Sequence, residues 1–209
     1  MNVPSKMNIS GKKISGIILA AGSASRMGKT KQLLPFGKNT LLGQVVQNAR
    51  KSALHETIVV LGHCADEIEQ AIDFSGTKVV RNTAYSKGQS ASLIKGLENI
   101  SSHCDAAMFL LGDQPLVTAA IINKLIDAFK TSTAPVIIPY CKSVRGNPTI
   151  FAKSLFHRLK ALTGDTGPRV LFDEFKESIL KVSIFDKAIL IDVDTMDDYE
   201  KLLSKKLKT

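Results

Sequence analysis

Short apolar runs alternate with amphipathic stripes along most of this chain, and that alternation constrains the fold more than any other feature. Residues 14–19, 57–61, 78–81, 106–111, 135–139, 180–185 and 189–193 form runs rich in Val and Ile. They are mostly apolar on both faces, as a strand covered by helices on either side must be. Between them lie helical stripes. Leu41, Leu42, Val45, Val46 and Ala49 form one; Ile121, Ile122, Leu125, Ile126 and Phe129 form another, with Thr118 placed to cap it. Leu155, Phe156, Leu159 and Leu162 make a third, and Tyr199, Leu202 and Leu203 a fourth. Strands alternating with helices predict βαβ units. The expectation is a single three-layer α/β domain over residues 14–209, with a mostly parallel twisted sheet and helices on both faces. A flexible polar segment, residues 1–13, precedes it. No Pro/Gly/Ser-rich linker divides the chain, and residues 140–149 read as a loop inside the domain.

Composition narrows the class. At 209 residues, with 44% apolar and 22% charged side chains, the chain can bury a core without staples. That excludes disordered, collagen-like and disulfide-scaffold proteins. Cys64, Cys104 and Cys141 lie far apart and form no C-x-x-C pair, a pattern that fits a reducing cytoplasm. No apolar run approaches the ~20 residues of a membrane helix. A signal peptide is also unlike residues 17–21, which lead straight into Arg26, Lys29 and Lys31. The net charge is +9. Its lysines are scattered, Trp is absent and Tyr is sparse, so no nucleic-acid face is expected. The basic run 201–208 reads as one solvated helix face. The cations near Arg26 call instead for a small anionic ligand.

In doubly wound sheets, ligands bind beyond the carboxyl ends of the strands. Five groups of residues stand there. Leu19, Ala20, Ala21 and Gly22 follow the first strand and lead through small residues to Arg26, Gly28 and Lys31. Gly22 and Gly28 allow close backbone approach, and the two cations suit a triphosphate. The loop is not a Walker A loop, because five residues rather than four separate Gly22 from Gly28. Nor is it G-x-G-x-x-G, because residue 24 is Ala. Gly112-Asp113-Gln114-Pro115 ends another strand, and a carboxylate at that edge is a natural Mg²⁺ ligand. Asp192 and Asp194 alternate on an expected strand and so share a face, or both merely cap the following helix. Thr195 and Asp198 have capping-box spacing. The loops holding Arg145 with Asn147, and Asp165 with Thr166, can receive a second anionic substrate or be ordinary turns. Asn82 and the segment 88–92 can meet a base or ribose, or Ser90 can simply cap a helix. No metal-binding His spacing and no G-x-S-x-G elbow occur.

Taken together, these motifs resemble the molybdenum cofactor cytidylyltransferases, within the glycosyltransferase-A-like nucleotidyltransferases of Rossmann-like fold. The segment 19–31 matches L-A-A-G-x-S-x-R-M-G-x-x-K throughout, and Leu33-Leu34-Pro35 and Gly112-Asp113-Gln114-Pro115 follow the family pattern. The chain departs at Asn147, where His is usual, and at Met196-Asp197, where Pro-Glu is usual. The resemblance implies Mg²⁺-dependent joining of CTP to the phosphate of molybdopterin, or of the molybdenum cofactor, with release of pyrophosphate. It assigns Arg26 and Lys31 to the triphosphate, and Asp113 and Asp194 to the metal. Leu19, Ala20, Ala21, Gly22, Gly28 and Ser90 would meet the nucleotide; Arg145, Asn147, Asp165 and Thr166 would meet the acceptor. Ala21 favours the cytidylyl branch, since Ala-Gly-Gly is usual in the guanylyl one. A molybdenum hydroxylase is the implied client. The alternatives are guanylyl or other nucleotidyl transfer to molybdopterin or a sugar or polyol phosphate, and a non-catalytic cofactor-insertion chaperone.

Overall fold

The computed structural model describes residues 11–23 and 29–206. In chain order its elements are β1 (Ile14–Ala20), β2 (Pro35–Phe36), β3 (Asn39–Thr40), α1 (Leu41–Arg50), β4 (Glu56–Leu61), α2 (Ala65–Ala71), β5 (Lys78–Arg81) and α3 (Gln89–Leu97). There follow β6 (Ala106–Leu111), α4 (Ala119–Lys130), β7 (Val136–Cys141), β8 (Val144–Arg145), β9 (Thr149–Ala152), α5 (Phe156–Lys160), β10 (Ile179–Ser183) and α6 (Met196–Lys206). Most of the expected segment 1–13 lies outside the described residues.

The main sheet runs β10-β7-β9-β6-β1-β4-β5, with β8 paired to β7. β1 is parallel to β4 and β6, β4 to β5, and β10 to β7. Only β8 and β9 run against their neighbours in it, so the sheet is mainly parallel. β9 is antiparallel to both β6 and β7. β6 and β7 therefore point the same way, and the carboxyl ends of all the parallel strands share one edge.

The period-2 alternation of the strands divides the core. Ile14 and Ile18 of β1, Val59 and Leu61 of β4, and Met108 and Leu110 of β6 pack under α1 and α4, against Leu42, Val46, Ile122 and Leu125. Ile17, Ile58, Val60 and Phe109 face the other way, onto Leu93 and Leu97 of α3 and Leu159 of α5. A third cluster joins Leu34, Phe36 and Leu41 to Val193, Tyr199 and Leu202, and the Tyr199 hydroxyl donates to the Pro35 carbonyl at 2.6 Å. This cluster brings the start of α6 beside the segment after β1. Thr40 and Thr118 cap α1 and α4 through their side chains.

Three expectations need correction. Residues 189–193 form no strand: Lys187–Leu190 is a 3-10 turn capped by Asp186, and the chain then crosses the carboxyl edge of the sheet, where Val193 donates to the Asp113 carbonyl at 3.2 Å. A short apolar run says only that residues are buried, and Ile189 and Val193 are buried without a ladder. Asp192 and Asp194 are therefore not paired by strand geometry. Residues 140–149 are not one loop. β7 extends to Cys141, Lys142 turns the chain with a positive φ, β8 returns, and β9 begins at Thr149 after a cis Asn147–Pro148 bond. Finally, the strand expected over 180–185 ends at Ser183, leaving Phe185 exposed.

Candidate active site

The site grows from strand register. Leu19 lies opposite Leu111 of β6 and Val60 of β4, so β1 and β6 end together. The Gly112 N–H extends the ladder to the Leu19 carbonyl at 3.0 Å. A Cβ on Gly112 would stand 2.9 Å from the Ala20 Cβ, so only glycine lets the two strand ends approach this closely. Asp113 is thereby set beside the loop that leaves β1. That loop is held from below by buried Gln32, whose amide donates to the Ala20 and Gly22 carbonyls, both at 3.1 Å.

Lys31 opens a 3-10 turn and points into the gap between the two strand ends. Its Nζ lies 2.7 Å from Asp113 Oδ2, 3.0 Å from Asp194 Oδ1 and 3.2 Å from the Val193 carbonyl. The Lys31 and Asp113 side chains are 15% and 19% exposed, whereas that of Asp194 is 51% exposed. Burial works to lower the pKa of Lys31, but the charge and hydrogen bond of Asp113, with those of Asp194, outweigh it and raise it above the ordinary lysine value. Burial also pushes the Asp113 carboxyl above the usual carboxylate range; Lys31 opposes that rise, and the charges of Asp194 and Asp192 add to it.

Asp194 owes its position to the start of α6. Asp198 Oδ2 accepts from the Asp194 N–H (3.3 Å), the Thr195 N–H (2.9 Å) and the Thr195 hydroxyl (2.7 Å). The Asp198 N–H in turn donates to Thr195 Oγ1 at 3.2 Å, completing the capping box read from the sequence.

Above these groups lies an open cleft of about 910 Å³. Leu19, Ala20, Ala21 and Gly22 form one wall, Lys31, Asp113 and Asp194 the floor, and Tyr85, Lys87, Gly88, Gln89 and Asp165 the far side. The far side is two loops locked together. Gly88 has φ +104°, and a Cβ there would come within 2.4 Å of the Gly164 carbonyl carbon. Asp165 Oδ1 accepts from the Gln89 N–H at 3.2 Å, capping α3. Ser90 donates to the Gly164 carbonyl at 2.7 Å, so it anchors the loop and does not line the cleft. Asn82 is likewise buried, bonded to Ser92 and to the Ala84 N–H.

The remaining expected residues scatter. Thr166 donates to the Thr163 carbonyl and lies beside the cleft, not on it. Arg145, on β8, places its guanidinium 4.8 Å from the centre of the Phe172 ring. Asn147 is buried, with its N–H on the Ile189 carbonyl. These two sit at the same sheet edge but over β7. Arg26 and Gly28 lie outside the described residues. Tyr85 and Lys87 line the cleft but were not named from the sequence, whereas Gln89 belongs to the segment 88–92 expected to meet a base or ribose. The only signal for Tyr85 and Lys87 is their position after β5.

The donor set can be tested against a divalent cation. Asp113 Oδ1 is buried with no hydrogen-bond partner among the described residues. Asp113, Asp194 and Asp192 outnumber the single cation among them. Among the described residues no group of three or more His, Cys, Asp or Glu side chains could hold a metal by itself. Two carboxylates fit a Mg²⁺-like ion that takes its other ligands from substrate phosphates and water. No described helix is long and apolar enough to cross a membrane.

Residues 16–179 match the MobA-like NTP transferase domain. Among curated proteins, the molybdenum cofactor cytidylyltransferase of Escherichia coli K12 is 28% identical over 192 residues, covering 89% of this chain and 93% of that protein. The nicotine blue oxidoreductase of Paenarthrobacter nicotinovorans is 24% identical over 203 residues, covering 91% and 96%. Among solved structures, Rv0371c of Mycobacterium tuberculosis H37Rv, in complex with manganese, superposes with a TM-score of 0.81 at 30% identity, covering 92% of this chain and 99% of that one. With a cleft at the carboxyl edge of a mainly parallel sheet and a domain match over most of its length, this chain is a nucleotidyltransferase of the MobA-like NTP transferase family.

Proposed function

We propose that this enzyme transfers the cytidylyl group of CTP to the phosphate of molybdopterin, forming a cytosine dinucleotide cofactor and releasing pyrophosphate. The observation that carries the reading is the Lys31–Asp113–Asp194 cluster beneath a cleft walled by Leu19–Gly22. The identity to a named molybdenum cofactor cytidylyltransferase along nearly the whole of both chains supports it.

In this reaction an acceptor phosphate oxygen attacks the α-phosphorus in line. A new P–O bond forms as the bond to the β-phosphate bridging oxygen breaks, and pyrophosphate carries away the electron pair. No protein nucleophile is required; positioning and charge neutralisation supply most of the rate. Lys31 neutralises phosphate oxygens, together with Arg26 by family analogy. The carboxylates hold Lys31 extended into the cleft before substrate arrives. Backbone groups of Ala20–Gly22, fixed by Gln32, present donors and acceptors to a small base at Ala21. Asp113 and Asp194 would hold Mg²⁺, which supplies phosphate charge neutralisation when bound. Asp165, on the far side, faces the acceptor.

The test is pyrophosphate release with Mg²⁺ and molybdopterin against CTP, GTP, ATP and UTP in turn. CTP is expected to give the highest kcat/KM. A higher value with GTP would overturn the cytidylyl reading and leave nucleotidyl transfer standing.

A further inference from the structure

Lys31 is the cation at the centre of the site, yet its charge is already met by two carboxylates at 2.7 and 3.0 Å. Asp165 adds a third negative charge to the cleft lining. A polyphosphate entering such a cleft needs another positive group. Among the described residues, Lys87 is the only other cation that lines the cleft, and no salt bridge or side-chain hydrogen bond engages its ammonium.

Its backbone is fixed while its side chain is free. Lys87 closes the 3-10 turn Tyr85–Lys87, and its N–H donates to the Ala84 carbonyl at 2.9 Å. Asn82 holds Ala84 from within the core. On one side the Tyr85 ring stacks on His63, 6.0 Å between centres and 7° apart in plane, and the His63 N–H is tied to the Ala21 carbonyl. On the other, Gly88 is pressed against Gly164. Thus the turn carrying Lys87 is braced against both the β1 loop and the 164–165 loop, and the exposed ammonium can reach an anion without moving either.

We infer that Lys87 receives a phosphate oxyanion of a substrate, the triphosphate of the nucleotide or the phosphate of the acceptor. This rests on the nucleotidyl-transfer reading of the cleft. A charge-assisted hydrogen bond in a partly screened cleft corresponds to about a ten-fold change in affinity.

The experiment compares wild type, Lys87→Ala and Lys87→Arg in Mg²⁺ buffer. Calorimetry measures CTP, cytidine and inorganic tripolyphosphate; pyrophosphate release measures KM for CTP and for molybdopterin. In Lys87→Ala, about ten-fold weaker CTP and tripolyphosphate binding with unchanged cytidine binding places the contact on the nucleotide. An equal rise in molybdopterin KM alone places it on the acceptor. Either result supports the inference, with Lys87→Arg restoring most of the loss. Unchanged CTP affinity and unchanged KM values overturn it, as does an equal loss for cytidine, which would mean a contact to base or ribose. Failure of the functional reading has a separate signature: wild type releases no pyrophosphate with any nucleotide. Tripolyphosphate binding then decides the role of Lys87 by itself.

Discussion

Removing the Asp198 carboxylate tests whether a helix cap governs the chemistry. Asp198 stands at the third position of α6 and accepts three hydrogen bonds, two from Thr195 and one from the Asp194 N–H. Asp198→Ala deletes the reciprocal half of the capping box and a negative charge at a helix N-terminus. A lost cap costs about 1 kcal/mol and the lost dipole interaction about 0.3–1 kcal/mol, so about 1–2 kcal/mol is expected. For a chain of this length that lowers Tm by roughly 2–8 °C. The same change frees the backbone that aims Asp194 at Lys31. We expect kcat/KM for pyrophosphate release to fall by about ten- to 100-fold, the upper figure being the cost of displacing a site group by about 1 Å. Asp198→Asn keeps an acceptor oxygen and should recover most of both losses. Thermal melts and steady-state assays on the three proteins decide the matter. A fall in Tm with full activity in Asp198→Ala would refute the link between cap and site.

Asp113→Asn should reduce turnover by at least about 100-fold, because an amide neither pairs with Lys31 nor serves as an anionic metal ligand; a far-UV spectrum like that of wild type with near-normal activity would remove Asp113 from the mechanism. Glu56 accepts from Ser15 Oγ at 2.5 Å and the Ser101 N–H at 2.7 Å, and lies near the Cys104 thiol. Burial alone would raise its carboxyl, but these bonds outweigh burial and hold it below the ordinary value of 4.5. A carboxyl depressed in the folded state stabilises above that ordinary value and loses its contribution as pH falls through the folded one. Glu56→Gln should therefore melt below wild type at neutral pH, with the gap closing under acid conditions below 4.5; a constant gap across the series would contradict this.

Periodicity made the centre of the sheet legible. β1, β4, β5 and β6 fall within one residue of their expected bounds: β1, β4 and β6 because buried parallel strands must be continuous apolar runs, and β5, at the sheet edge with Lys78 and Arg81 exposed, through Val79 and Val80 alone. The stripes of α1 and α4 were legible from their helical period, and Thr118 as the cap of α4; Thr40, which caps α1, was not named. β9 was not: four residues after Asn147–Pro148 become a strand only because β6 and β7 both pair with them. The run at 189–193 misled because burial and extension are separate properties. At the site, Lys31, Asp113 and Asp194 could be named individually, but not the bonds that join them, since each is made across a long stretch of chain. Ser90 shows the limit most clearly. Its partner, Gly164, is 74 residues away, and nothing local distinguishes an anchor from a ligand contact.

The third hydrophobic cluster has a consequence in time. Lys31 and Asp194 are 163 residues apart, and α6 and its packing on Leu34 and Phe36 are what bring them together. The sheet can assemble from β1 to β10 before that contact exists, since none of its ladders uses the segment after residue 190. During synthesis the floor of the cleft is therefore left with one carboxylate until the final helix has emerged and docked. Onset of activity, rather than of secondary structure, marks the moment when the two distant ends of the described chain have met.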